Sequence, residues 1–154
     1  MSAQYNAALL RTALLERHRA VCTSRVTLPL RSDEDVVGLR RQVRERAVAI
    51  RLSLVDQTKL VTAASELARN TLKYGGGGEV HLDLLGDGVR HGVGLIFVDG
   101  GPGIGDTEQA LQDGFTTGGG LGLGLGGSRR LVDEFEIDSK QGEGTAVSVV
   151  KWKR

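Results

Sequence analysis

The sequence predicts an α+β fold, a two-layer sandwich with helices on one face of a mixed, mostly antiparallel sheet. Three observations predict it. Apolar residues recur at helical spacing through residues 32–72, short apolar stretches alternate or run unbroken after residue 79, and most of the 23 glycines fall after residue 74. The first half is therefore helical, and the second is built of strands and loops.

Residues Asn6 to Val21 place Leu9, Leu10, Ala13, Leu14 and Val21 near one stripe, with Arg11, Arg17 and Arg19 elsewhere. This predicts an amphipathic helix, appended over residues 1–22 ahead of a domain spanning 23–154, that covers a sheet edge or meets a partner; a frayed, exposed terminus is the other reading. Arg25 to Leu30 alternates Val26, Leu28 and Leu30 with other residues, and Pro29 assigns it to an edge. Ser32 is a good N-cap, Asp33, Glu34 and Asp35 suit the positive helix end, and Val36, Leu39, Val43, Ala47 and Ile50 carry a helix to about Arg51. A second helix starts near Val55 or Asp56, turns Leu60, Val61, Ala64, Leu67, Ala68 and Leu72 inward, and stops at Gly75 to Gly78. Glu79 to Leu85 and Val93 to Asp99 form an antiparallel hairpin about Gly86-Asp87-Gly88. A short helix is expected near Thr107 to Asp113 and another over Gly126 to Glu134. Strands Phe135 to Ser139 and Thr145 to Trp152 end the chain.

Composition narrows the function classes. With 154 residues the chain fits one domain. Its 20 Lys and Arg nearly cancel its 19 Asp and Glu, so there is no global field to gather nucleic acid or an anionic membrane. Cys22 has no internal disulfide partner, and no segment has the apolar length of a membrane span, which points to the cytoplasm. His81 and His91, in or near the hairpin, are expected on the surface.

Three segments carry chemistry. Glu66 and Asn70 lie one turn apart on one helix face, with Lys73 on the same side: a carboxylate, an amide oxygen and an ammonium in line. An amide oxygen suits Mg²⁺, which takes oxygen ligands beside substrate phosphates. Asp99 ends the apolar run Val93 to Val98 and precedes Gly101, Gly103 and Ile104. Glycines there let backbone approach a flat ring, and a carboxylate accepts a hydrogen bond from an exocyclic amine, which favours adenine over guanine when the base presents its amine to it. Gly118 to Gly127 lacks the Lys-Ser/Thr of a Walker A loop and does not follow a first strand. It leads into a helix, so its freed N–H groups and the helix end form an anion site, while Leu121, Leu123 and Leu125 need burial and argue against a tether. Thr145 adds a hydroxyl.

In this order the stations resemble the GHKL, or Bergerat-fold, ATPases. Glu66-x-x-x-Asn70 is similar to the N box, Asp99-x-Gly101-x-Gly103 to the G1 box, Gly120-x-Gly122-x-Gly124 to the G2 box, and Gly144-Thr145 to the last motif. The match covers about residues 25 to 152. Asp113 to Thr117, the Gly120 to Arg130 run, Leu131 to Phe135 and Lys151-Trp152 further resemble the small anti-sigma-factor and switch-protein serine/threonine kinases of the RsbT type. The resemblance implies ATP and Mg²⁺ as cofactors, with Glu66 as general base, Asn70 holding the metal, Lys73 as a phosphate contact, Asp99 and Thr145 reading adenine, Gly101, Gly103 and Ile104 lining the base, and Gly120, Leu121, Gly122, Leu123 and Gly124 closing on the phosphates. It also implies a STAS-domain protein as substrate and a PP2C-type phosphatase or a sigma factor as second partner. The oligomeric state stays open.

Two classes compete. A kinase needs a base such as Glu66; an anti-sigma factor or switch subunit that acts by ATP-tuned binding does not. A histidine kinase would need a phosphoacceptor helix, and His18 lacks the downstream proline expected there. Chaperone, topoisomerase and mismatch-repair relatives are expected to carry a following domain, which is not seen after Trp152.

Overall fold

The computed structural model describes residues 14–19, 21–103, 124–140 and 142–154. Strands β1 (Cys22–Leu30), β2 (Gly78–Gly86), β3 (His91–Asp99), β4 (Glu134–Lys140) and β5 (Gly144–Trp152) form one sheet in the order β1-β2-β3-β5-β4. Each pairing is antiparallel, so the expected mostly antiparallel sheet has no parallel pair among the described residues. β1 takes an edge, where Pro29 forfeits no ladder donor. β3 is central and buried on both faces, which is why its run from Val93 to Val98 barely alternates.

Two helices cover the inner face: α1 (Asp33–Ala49) and α2 (Leu54–Lys73). Ser32 caps α1 by accepting from the Asp35 N–H, and Ser53 caps α2 by accepting from the Asp56 N–H. α1 buries Val36, Leu39, Val43 and Ala47, and α2 buries Leu60, Ala64, Leu67 and Ala68, against Val80, Leu82, Val93, Leu95, Phe97, Val147 and Val149 of the sheet. Each such leucine contributes about 2 kcal/mol of transfer free energy. A third helix, α3 (Gly124–Arg130), packs on α2 and adds Leu125 to the same core. It ends before the expected Glu134, because the Asp133 N–H already bonds the Val150 carbonyl and draws the chain into β4. The helix expected near Thr107 lies outside the described residues.

Residues 14–19 are helical and lie on the outer face of the sheet, where Leu14 packs on Ile96, Val98 and Ala146. A buried polar cluster pins them. His18 Nδ1 is 2.8 Å from Asp83 Oδ2 and its Nε2 is 2.9 Å from Ser148 Oγ, while Arg25 donates to both Asp83 oxygens at 2.7 and 2.9 Å. Desolvation pushes the Asp83 carboxyl up, but hydrogen bonds from His18 and Arg25 prevail and hold it below the usual carboxylate range. The same face corrects one expectation: His81 is buried rather than on the surface, its Nδ1 2.8 Å from Thr27 Oγ1, because its β2 position points under this cover. Among the described residues no helix is long and apolar enough to cross a membrane.

Candidate active site

The last residue of β3 anchors the site. Asp99 Oδ1 accepts the Gly101 N–H at 2.9 Å, and the Thr145 N–H from the neighbouring strand also bonds the carboxylate. Burial pushes the pKa of Asp99 above the ordinary carboxylate value, and those two N–H groups only partly offset it. Three chain segments approach so closely that only glycine fits. A Cβ on Gly75 would lie 2.6 Å from Asp99 Oδ2 and nearer still to Cγ; one on Gly101 would lie 2.7 Å from the Gly75 Cα; one on Gly144 would strike the Asp99 carbonyl oxygen. The result is a carboxylate set in a wall of bare backbone, the surface a flat base can lie against.

The end of α2 reaches the same place. The Asn70 carbonyl accepts the Tyr74 and Gly75 N–H groups at 2.9 and 3.3 Å, so the turn carrying Asn70 leads directly into the glycine that touches Asp99. Glu66 stands one turn earlier, its side chain 16% exposed and 3.1 Å from Arg69 Nη1. Lys73 is exposed, and its ammonium stands 5.3 Å from the Tyr74 ring centroid, turned along the helix end. Gly103 has φ 74 and Gly124, which opens α3, has φ 70, both in the left-handed region that favours glycine. The loop after β3 is fastened to the β4–β5 turn by a hydrogen bond from the Gly142 N–H to the Pro102 carbonyl.

Of the residues expected at the site, Asp99, Gly101 and Thr145 meet directly, and Glu66, Asn70 and Lys73 lie on the last two turns of α2, whose end meets Asp99 through Gly75. Ile104, Gly120, Leu121, Gly122 and Leu123 lie outside the described residues, as does the short lid expected over Gly105 to Gly120. Two further participants escape sequence reasoning. Gly75 reads from sequence only as a helix stop, and Ser139, whose Oγ is 2.7 Å from Thr145 Oγ1, carries no local signal because its partners come from the next strand. Among the described residues no group of three or more His, Cys, Asp or Glu side chains is gathered for a metal. The donor set suits a cation such as Mg²⁺, which is held by one or two protein oxygens together with substrate phosphates.

Comparisons with known proteins bear on the family and the fold. Residues 55–154 match the family of histidine kinase-, DNA gyrase B-, and HSP90-like ATPases. The chain is 43% identical over 120 residues to the serine/threonine-protein kinase RsbT of Bacillus subtilis, covering 78% of this chain and 90% of that protein. It is 34% identical over 106 residues to the anti-sigma F factor of Anoxybacillus flavithermus, covering 64% and 71%. Among solved structures, the RsbU and RsbW domains of a Mycobacterium tuberculosis protein superpose with a TM-score of 0.57 at 22% identity, over 86% of this chain and 33% of that one. The SiaB-SiaC complex of Pseudomonas aeruginosa gives 0.51 at 13% identity, over 94% and 96%. The chain belongs to the histidine kinase-, DNA gyrase B-, and HSP90-like ATPase family.

Proposed function

We propose that the protein is an ATP-dependent serine/threonine protein kinase of a bacterial partner-switching pathway, which phosphorylates a STAS-domain protein in the cytoplasm. The observation that carries the nucleotide part is the Asp99 carboxylate framed by Gly75, Gly101 and Thr145. The kinase part rests on the extent of similarity to RsbT, which spans nearly that protein's whole length.

In this reading the adenine amine donates to Asp99, with Thr145 assisting, and the ring lies on Gly101 and Gly103. Gly120, Leu121, Gly122, Leu123 and Gly124 contact the phosphates, Ile104 the base, and Lys73 a phosphate. Asn70 would hold Mg²⁺, which when bound would supply charge neutralisation at the phosphates. Glu66 accepts the proton of the substrate hydroxyl as its oxygen bonds to the γ-phosphorus and the bond to ADP breaks. Such a transfer is mainly positioning and charge stabilisation, which one base, backbone N–H groups and a cation supply. A PP2C-type phosphatase or a sigma factor is the second partner.

Similarity to an anti-sigma F factor favours a second reading, in which ATP mainly tunes protein binding. Label transfer from γ-labelled ATP to a STAS-domain protein of the same genome separates the two. Label on that protein, lost with Glu66→Ala while ATP binding persists, supports the kinase. ATP binding without label on any STAS-domain protein supports the binding module.

A further inference from the structure

Residues 14–19 touch every strand of the sheet. Leu14 packs on Ile96 and Val98 of β3 and on Ala146 of β5, and His18 joins Asp83 of β2 to Ser148 of β5. Arg17 pairs with Glu136 of β4, and Arg25 of β1 donates to the Leu15 carbonyl at 3.3 Å. The seat is shaped for this segment: a Cβ on Gly94 would lie 2.8 Å from the His18 ring, and Leu14 and His18 are 2% and 4% exposed. Leu14 also stands behind the nucleotide end of the sheet. Val98 pairs with Ala146 in the β3–β5 register, and the next rung is Asp99 with Thr145. Strand alternation turns Val98 and Ala146 to Leu14 and turns Asp99 and Thr145 to the opposite face. The end of β3 is thus fixed from several sides. A Cβ on Gly75 would strike the Asp99 side chain and one on Gly78 the Val98 carbonyl oxygen, while Leu14 closes the outer face. Close-packed interiors transmit the loss of such a contact to their neighbours. We propose that residues 14–19 are a strap coupled to nucleotide binding: docked, it backs the Asp99–Thr145 rung in its binding geometry, its release lowers the affinity for ATP, and bound ATP in turn holds it down.

The inference rests on Asp99 and Thr145 facing the base, and its test separates the two. Hydrogen exchange of residues 14–19 is followed in the full chain with and without saturating ATP, and ATP binding is titrated in the full chain, Leu14→Asp, Val43→Ala and Asp99→Asn. Bound ATP should slow exchange in residues 14–19. Leu14→Asp sets a charge in an apolar seat and should weaken ATP binding about fivefold or more, the usual size of a coupling between sites. Coupling is reciprocal, so the two factors should agree. Val43→Ala is the control for stability lost elsewhere: it thins the core from α1, so it should unfold at a lower temperature and bind ATP normally. Unslowed exchange at saturating ATP overturns the strap. So does a folded Leu14→Asp that binds ATP as tightly as the full chain, or equal weakening in Val43→Ala. Should Leu14→Asp fail to fold, Leu14→Ala takes its place, and the exchange comparison, which needs no variant, still decides. Undiminished ATP affinity in Asp99→Asn overturns instead the reading of the base end.

Discussion

Replacing Gly75 by alanine tests whether the close approach of α2 to β3 serves nucleotide binding or only packing. Gly75 does not have a left-handed backbone, so alanine suits its conformation, and the nearest obstacle is the Asp99 side chain. The new Cβ would lie 2.6 Å from Oδ2, whereas ordinary van der Waals contact begins at 3.4 Å. Asp99 Cγ is nearer still and Asp99 Cβ lies at 2.5 Å, so the whole side chain, with the end of β3 that carries it, must withdraw by about 1 Å, a displacement large enough to break a well-aligned hydrogen bond. A hydrogen bond to a charged group is worth about 1.5–3 kcal/mol, so ATP affinity should fall about 10- to 150-fold. The overpacking itself costs about 1–3 kcal/mol of stability. Gly76 is the control: its φ is 72 and a Cβ there meets nothing within 4 Å. Gly76→Ala should lose about 1–2 kcal/mol to backbone strain while binding ATP normally. Calorimetric titration with ATP and thermal unfolding of both variants give the two quantities separately. A folded Gly75→Ala that binds ATP as tightly as the unsubstituted chain would refute the assignment of Asp99 to the base.

Four further outcomes are expected. Because burial raises the pKa of Asp99, ATP affinity should be full above that raised value and fall as pH drops through it, at a pH above the ordinary carboxylate value of about 4; titrations across pH should find this dependence gone in Asp99→Asn. The same shift means that the ionised carboxylate costs stability above its folded pKa, so Asp99→Asn should bind ATP poorly and yet unfold at a higher temperature. Asp83 behaves oppositely: its lowered pKa gives stability that is complete above the unfolded value of about 3.9 and is lost as pH falls through the lower folded value, a loss that acid unfolding should show diminished in Asp83→Asn. Lys151, buried 3.5 Å from Asp56 and 3.6 Å from Asp133, ties the start of α2 to β5; Lys151→Met should cost about 1–3 kcal/mol in denaturant unfolding and leave ATP affinity unchanged, since both carboxylates lie at the other end of α2 and β5 from Asp99.

What the sequence conveys about this site is local, and what it withholds is contact between distant segments. Helical spacing puts Glu66 and Asn70 on one face, and an apolar run ending at Asp99 marks the end of a buried strand, because both signals lie within a few residues of chain. Glycine is ambiguous in the same way. From sequence, Gly75 ends a helix and Gly101 shapes a turn; in the fold, each is small because the other, and Asp99, occupy the space a side chain would need. The surface expectation for His81 fails for a related reason. Hairpin alternation assigns it to the face away from the helices, which is solvent in a two-layer sandwich, but here residues 14–19 cover that face through the pairing of His18 with Asp83 and Ser148. Ser139 is the strongest case. Its position five residues before Gly144 has no periodic meaning until the β4–β5 register places it opposite Thr145, where the two hydroxyl oxygens lie 2.7 Å apart. Sequence motifs thus single out the groups expected at a nucleotide, whereas the neighbours of those groups are met only when the register of the sheet brings them into contact.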